Sequence, residues 1–528
     1  MRYKLILLMI IFIVLLGCGK EPVEIKEFHI NGLSLLEASA DFENIIDVKF
    51  DTQDTVYITK TDILSKNGTV DFEDNQWIYK IDNEYDSDTI YISVTYLKSD
   101  TWKEYKETFK KKIRINNKKE LTFILYLAAD NNLSYLGYLD LLEISKSRVD
   151  IDKINVLIFA DSYRESENVR GYIIKTNSEN DKLKLDRNID GNTEINYLKM
   201  VEKTEEKNTG DWKTLQEVLD YAYNNYPAKQ YILTLWDHGD GWYNDNNNTN
   251  PFEDLKRAIA IDDSSNGDSL NLWELEYAIK NSKIGKLNLI YMDACLMGGV
   301  EVAYQLKDVA DYLMFSPEVT PGMGSEYEYM LNAISDNYEK SMLDVAKAII
   351  AGNITSYSIG GKQHDGDNFE SLVYTVVDQR KTDVFIEKLN NVSDVLINNI
   401  DAIKNMKNTT LLTYSYENTN DYSKLSTYVD LGDFLEHVKN LSLSSNDLSI
   451  IDDLLVYMRN RDEYIGELKY QNGVYPGYPM AIQDGTYGLS IYMPLKEVAY
   501  SYSISYYYYA TRFARDTKWY NFLERYNN

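Results

Sequence analysis

The chain has 528 residues, 44% of them hydrophobic and 26% charged, and a formal net charge of −28. This is the composition of a globular protein and not of a disordered one. The acidity leaves nucleic acid without the basic face it needs, and the length suits roughly two to four domains.

The chain opens with Met1-Arg2-Tyr3-Lys4 and an unbroken apolar run from Leu5 to Leu16, followed by Gly17 and Cys18. The run is short for a permanent membrane span and matches the apolar core of an export signal. Leu15-Leu16-Gly17-Cys18 resembles the bacterial lipobox, in which cleavage precedes the cysteine and its thiol takes a lipid. Residues 1–17 are therefore expected to be a removable signal, with Cys18 the lipidation site on an exported, membrane-anchored chain. Loss of Arg2 and Lys4 would take the formal charge from −28 to −30. The chain has two cysteines, Cys18 and Cys295. With Cys18 lipidated, Cys295 is a lone thiol with no disulfide partner, either a packed core residue or a nucleophile.

Residues 18–27 read as a tether. From 28 to 117 the pattern alternates with period two: Val56 and Ile58 on one face, then Ile90, Ile92, Val94 and Tyr96. With strands near 45–50, 77–81 and 108–115, this predicts a small all-β domain of immunoglobulin-like size. It carries no chemical motif and reads as a spacer or binding module.

At Glu120 the texture changes. Short apolar runs follow at Leu121–Ala129, Asn155–Ala160, Tyr231–Trp236 and Leu287–Met292. Runs lacking strict alternation predict strands buried on both faces. Between them lie amphipathic stretches, Trp212–Tyr223 and Leu272–Ile279. The alternation predicts a mainly parallel α/β sheet covered by helices, over 118–380. Helical segments at Val384–Ile400 and Leu448–Met458, a strand at Gly488–Met493 and an aromatic helix near Trp519, Phe522 and Leu523 make 381–528 an α/β extension of the same domain.

Polar clusters close these strands, where open α/β sheets place their sites. Asp130-Asn131 ends the first, Asp237-His238-Gly239 the third, and Asp293-Ala294-Cys295 the fourth. On neighbouring strands, His238 would lie beside Cys295 and take its proton, making the thiolate nucleophile. A helix carrying Val302, Leu306, Val309 and Leu313 on one face is expected after Cys295, its start favouring the thiolate. The Gly239 and Cys295 N–H groups are the candidate oxyanion hole. Asp130 and Asn131 would orient His238 or line the cleft. The other histidines, His29, His364 and His437, lack such settings.

Two apolar strands ending in His-Gly and Asp-Ala-Cys resemble the clostripain-like peptidases, relatives of caspases, gingipains, legumains and separases. The resemblance is strong over about 120–330. It rests on Tyr126-Leu-Ala-Ala-Asp-Asn-Asn-Leu133, Leu235-Trp-Asp-His-Gly-Asp-Gly-Trp242, Ile261-Asp-Asp263, Met292-Asp-Ala-Cys-Leu-Met-Gly298 and Glu318-Val-Thr-Pro-Gly322. It continues in Tyr487–Pro494 and the Trp519 tail. It implies a caspase-like fold, a Cys295–His238 dyad and cleavage of peptides after Arg or Lys, with Asp293 in the place of the family's specificity aspartate. The chain departs from the family at Pro321-Gly322-Met323-Gly324-Ser325, where members often carry Trp last, and Met323 stands where a second pocket acid would be sought. Self-processing and calcium dependence also come with the resemblance. The acidic loops Asp262-Asp263 and Asp365-Gly-Asp367 show no spaced calcium-ligand pattern, so no metal is assigned. The polar loop Asn244–Asn250, followed by Lys256 and Arg257, is a candidate self-cleavage site. Two readings compete with the protease: a catalytically silent surface binding lipoprotein, and a thiol amidase acting on cell-wall peptides.

Overall fold

The computed structural model describes residues 29–33, 37–39, 44–46, 48–51, 56–73, 76–81, 87–98, 102–116, 118–162, 169–242, 259–364, 371–406, 411–414, 428–473, 483–493 and 508–527. The expected signal, Cys18, the tether, and the Asn244–Asn250 loop with Lys256 and Arg257 lie outside them. No helix among the described residues is long and apolar enough to cross a membrane. The chain forms two compact units, Met1–Lys118 and Lys119–Asn528.

The first unit is all-β among its described residues. A four-stranded sheet includes the long strands Val56–Ser65, Ser87–Lys98 and Glu104–Asn116, and a three-stranded sheet contains Asn44–Ile46, Thr69–Glu73 and Gln76–Lys80. Ile90, Ile92, Val94 and Tyr96 share a buried face, as their spacing predicts, and pack with Ile46 and Tyr79 of the second sheet. The buried Asp88 carboxylate accepts from Ser65 Oγ at 2.5 Å and Tyr79 Oη at 2.8 Å. Burial alone would raise its pKa; these bonds and those from the Thr89 and Gly68 amides outweigh burial and hold it low.

The second unit is built on a nine-stranded sheet. Its strands, in chain order, are β1 (Lys119–Ala129), β2 (Ile154–Ser162), β3 (Arg170–Lys175), β4 (Leu198–Lys203), β5 (Ala228–Trp236), β6 (Leu287–Asp293), β7 (Ala310–Phe315), β8 (Leu372–Asp378) and β9 (Ile465–Gln471). The spatial order is β4-β3-β2-β1-β5-β6-β7-β8-β9. The central run β2-β1-β5-β6-β7 is parallel, and each edge is finished by antiparallel pairing. The order reverses between β1 and β5, the switch point at which such sheets gather their sites.

Both faces are covered, which explains the continuous apolar strands. On one face Leu121, Phe123, Leu125 and Leu127 of β1 pack beneath helices α1 (Ser134–Lys146), α5 (Tyr327–Asn337) and α6 (Met342–Tyr357). On the other, Ile124 and Tyr126 meet α2 (Trp212–Asn225), α3 (Leu272–Asn281), α4 (Val300–Gln305) and α7 (Thr382–Asn398). Helix α2 buries Leu215, Val218, Leu219 and Ala222, the stripe its periodicity predicts, and starts on an Asp211 cap. Helix α3 starts on a full capping box, Asn271 with Glu274. The C-terminal helices Ser445–Arg459 and Trp519–Asn527 bury Leu454, Leu455, Trp519 and Phe522 in the same core.

One expectation fails. The helix after Cys295 is only Val300–Gln305, and Leu313 belongs to β7. Gly298-Gly299 separates the cysteine from the helix, so Cys295 does not sit at a helix start and the helix-dipole argument for a thiolate there falls. Apolar residues at Val302, Leu306 and Val309 satisfy a helical period, but a tight turn followed by a buried strand satisfies the same residues.

Candidate active site

The site is assembled by strand register. Trp236 of β5 is the rung partner of Asp293 of β6. His238 and Cys295 each follow that rung by two residues, so parallel pairing delivers both to one edge of the sheet. The Gly239 backbone lies against the cysteine: a methyl group there would come within 2.5 Å of the Cys295 carbonyl oxygen and 2.8 Å of Ala294 Cβ. Only glycine allows this approach.

The Cys295 sulfur sits against Thr320. It receives the Thr320 N–H at 3.3 Å and lies 3.4 Å from the Thr320 hydroxyl oxygen. Immediately after it, Leu296 adopts φ 60°, a left-handed conformation unfavourable to a leucine. The turn is held by Leu296 N donating to Glu318 O at 3.1 Å and Gly298 N to Ser316 O at 2.7 Å. Glu318, buried beside this turn, accepts from Val319 N at 2.8 Å and Gln483 Nε2 at 2.9 Å. Burial outweighs both bonds and pushes its pKa up to about 7.

The half-buried His238 ring has its Nε2 at 2.8 Å from Asn132 Oδ1. An amide oxygen only accepts, so Nε2 carries the proton in the neutral ring and Nδ1 keeps the lone pair of a base. The orienting residue is thus Asn132, one place beyond the two the sequence singles out. Asn131 is buried, and its amide donates to Asp237 Oδ1 at 2.7 Å and Ile261 O at 3.0 Å. Asp130 is buried too, paired with Arg170 at 3.2 Å and accepting from Ser264 Oγ at 3.0 Å. Both brace the rim from within. Asp237 accepts from the Ile261 amide as well, tying the β5 end to the short strand Ile259–Asp262, which lies outside the large sheet.

Asp293 is buried, and its carboxylate accepts from Ser325 N at 3.1 Å, Tyr327 Oη at 3.0 Å and Tyr291 Oη at 3.1 Å. All three donors are neutral. Burial outweighs them and raises its pKa. Gly324, at φ 57°, lets the loop pass close by; a methyl there would lie 3.1 Å from Asp293 Oδ2.

Asp130, Glu206 and Asp262 bring carboxylate oxygens within 4.8 Å of one another. They do not fit a calcium ion. The Arg170 guanidinium already binds Asp130, and the Asp262 carboxylate takes the Thr209 and Ser265 amides at 2.9 and 2.8 Å.

The model of the clostripain family matches residues 125–526, from within β1 to the last helix. The chain belongs to the clostripain family. It is 31% identical over 256 residues to clostripain of Hathewaya histolytica, a match covering 46% of this chain and 47% of that protein, about half the relative's length. In fold it is similar to a secreted C11 cysteine protease from Bacteroides thetaiotaomicron solved with an irreversible peptide inhibitor. The TM-score is 0.55 at 22% identity, over 77% of this chain and 99% of that one. An inactive zymogen C11 protease from Parabacteroides distasonis gives 0.54 at 18% identity, over 76% and 99%. The mainly parallel, helix-flanked sheet is thus the fold of the clostripain family's solved members.

Proposed function

We propose that this chain is a cysteine endopeptidase that cleaves after Arg or Lys and is held at a bacterial cell surface by lipid on Cys18. The observation that carries the catalytic part is the Trp236–Asp293 rung, from which His238 and Cys295 emerge as matched neighbours. In the reaction, His238 Nδ1 takes the Cys295 proton and the thiolate attacks the scissile carbonyl carbon. The carbon–nitrogen bond then breaks, the amine leaves with the proton from His238, and a thioester remains on Cys295. Water, deprotonated by the same nitrogen, cleaves the thioester and restores the thiol. Backbone N–H groups of Gly239 and Cys295 are the candidate donors to the oxyanion.

Basic specificity is supported by Asp293, a buried carboxylate with only neutral hydrogen-bond donors, poised to gain from a cationic side chain. The anchor is supported by the lipobox-like Leu15–Cys18 segment. A positional-scanning peptide library, run on wild type and Cys295→Ala, tests the reading. Turnover confined to wild type with Arg or Lys before the cut supports it. A preference for acidic or apolar residues refutes the specificity, and no turnover with any peptide favours the silent binding protein. Cleavage restricted to peptidoglycan stem peptides favours the amidase. For the anchor, a labelled fatty acid should be incorporated by wild type and not by Cys18→Ser.

A further inference from the structure

Asp293 is not the only buried carboxylate on its side of the sheet. Leu127, Trp236 and Asp293 form one row across β1, β5 and β6, so their side chains share a face. Helix α1 lies over that face: a methyl group at its Gly137 would meet Ala129 and Leu127 at 3.3 Å. One turn on, Asp140 is 2% exposed and receives a hydrogen bond from the Trp236 side chain, while its Oδ2 has no hydrogen-bond partner. Trp236 thus shares a row with one acid and is bonded to the other.

Asp140 is a poor choice for packing alone. Its neighbours on the buried stripe of α1 are Gly137, Tyr138, Leu141 and Ile144. An aspartate at the middle of a helix is disfavoured, and an unpartnered buried oxygen costs about 1–3 kcal/mol. An apolar residue would serve the core better.

The surrounding charge has one sign. Glu143 of α1 accepts from Tyr327 N at 2.9 Å, and Glu326 caps α5. Lys362, a cation that acts on Glu143, is already paired with Glu326 at 3.0 Å and with Glu328. Among the described residues no lysine or arginine pairs with Asp140 or Asp293. Burial, then Glu143 and Asp293, push the Asp140 pKa well up, the Trp236 bond opposing them.

We propose that Asp140 is a second specificity-determining acid, which together with Asp293 receives the cationic side chain before the scissile bond. This rests on the basic specificity proposed above and adds the residue that completes it. The position where a second acid is sought in sequence holds Met323; α1 provides the acid from the opposite wall. Gly322 and Gly324 close that wall, the first facing Leu136 of α1 and the second facing Asp293. A guanidinium has donors enough for two carboxylates in different directions.

The test compares peptide substrates carrying arginine before the cut with the same peptides carrying citrulline, its uncharged isostere. Asp140→Asn keeps an acceptor for Trp236 and removes only the charge. The expected result is a fall of roughly 10- to 100-fold in the arginine-to-citrulline ratio of kcat/KM. Asp140→Glu should retain most of the ratio. An unchanged ratio in Asp140→Asn, or an equal loss on both substrates, overturns the proposal. Should Asp140→Asn fail to fold, Asp140→Glu decides: a ratio as low as that of Asp293→Ala would refute it. If wild type itself does not distinguish arginine from citrulline, the basic specificity fails, a separate outcome.

Discussion

Replacing Asn132 with alanine removes the acceptor that holds His238 Nε2 at 2.8 Å. In the proposed reaction the ring becomes an imidazolium, and a hydrogen bond to a charged group is worth about 1.5–3 kcal/mol. Asn132 is exposed, so water competes for the ring and the lower end applies. That corresponds to a loss of about tenfold in kcat/KM, with KM nearly unchanged because Asn132 has no role in holding the peptide. The assay is hydrolysis of an arginyl p-nitroanilide across pH 5–9. Asn132→Asp makes the argument sharper. A carboxylate at this position stabilises the imidazolium, raises the histidine pKa and moves the acidic limb of the rate profile to higher pH. Asn132→Ala lacks that acceptor and should move the limb to lower pH. If both variants keep the wild-type limb and lie within twofold of wild-type kcat/KM, Asn132 does not orient the base.

Cys295→Ala and His238→Ala should each abolish peptide hydrolysis while near-ultraviolet circular dichroism stays native; appreciable turnover in either refutes the dyad. Gly239→Ala forces a methyl to within 2.5 Å of the Cys295 carbonyl oxygen. It should destabilise by about 1–3 kcal/mol in urea titration and lose activity, and a stable, active variant would contradict the close approach. Glu301 and Glu318 have pKa values raised by burial to about 7. The native state thus holds more protons than the unfolded chain between about pH 4.5 and 7, and stability should fall as pH rises through that window. Glu301→Gln should flatten the slope of melting temperature against pH there, and an unaltered slope would exclude its contribution. Self-cleavage after Lys256 or Arg257 should show by mass spectrometry in wild type and not in Cys295→Ala. An intact, active wild type ends that idea, and a break in both proteins points to another protease.

The fold was readable wherever one element accounted for an apolar pattern. The unbroken runs at β1, β2, β5 and β6 admit buried strands, and the stripe Leu215, Val218, Leu219 and Ala222 admits a helix. Strand order follows from neither; the adjacency of β5 and β6 was the condition on which His238 would lie beside Cys295, and the pairing meets it. The region 300–315 misled because a six-residue helix, a turn and a strand share the apolar spacing of one longer helix. Asn132 was passed over in favour of Asp130 and Asn131, since direction at a strand end depends on the turn that follows. There Asn131 Oδ1 accepts from Leu133 N at 2.9 Å, turning the side chain inward and leaving Asn132 outside. Thr320 lies in a segment that resembles the family, but 25 residues separate it from Cys295 and nothing local marks the contact. Asp140 left no motif at all; its signal is a carboxylate among the buried Gly137, Tyr138, Leu141 and Ile144 of one helix.

Glu301 carries a consequence for the order in which this protein is made. The histidine, the cysteine and their strands have all been synthesised by the time residue 301 emerges. The buried Glu301 carboxylate, just beyond the Cys295 turn, accepts from the Tyr492 amide and the Tyr508 hydroxyl, at 2.9 and 2.8 Å. Those groups lie 191 and 207 residues further along the chain. Ser490 likewise bonds the nucleophile turn through Gly298 O at 2.9 Å. A ribosome-bound chain ending near residue 350 therefore has both His238 and Cys295 and a turn still lacking the bonds that brace it. Closing of the turn that carries Cys295 therefore waits on Ser490, Tyr492 and Tyr508, near the far end of the chain.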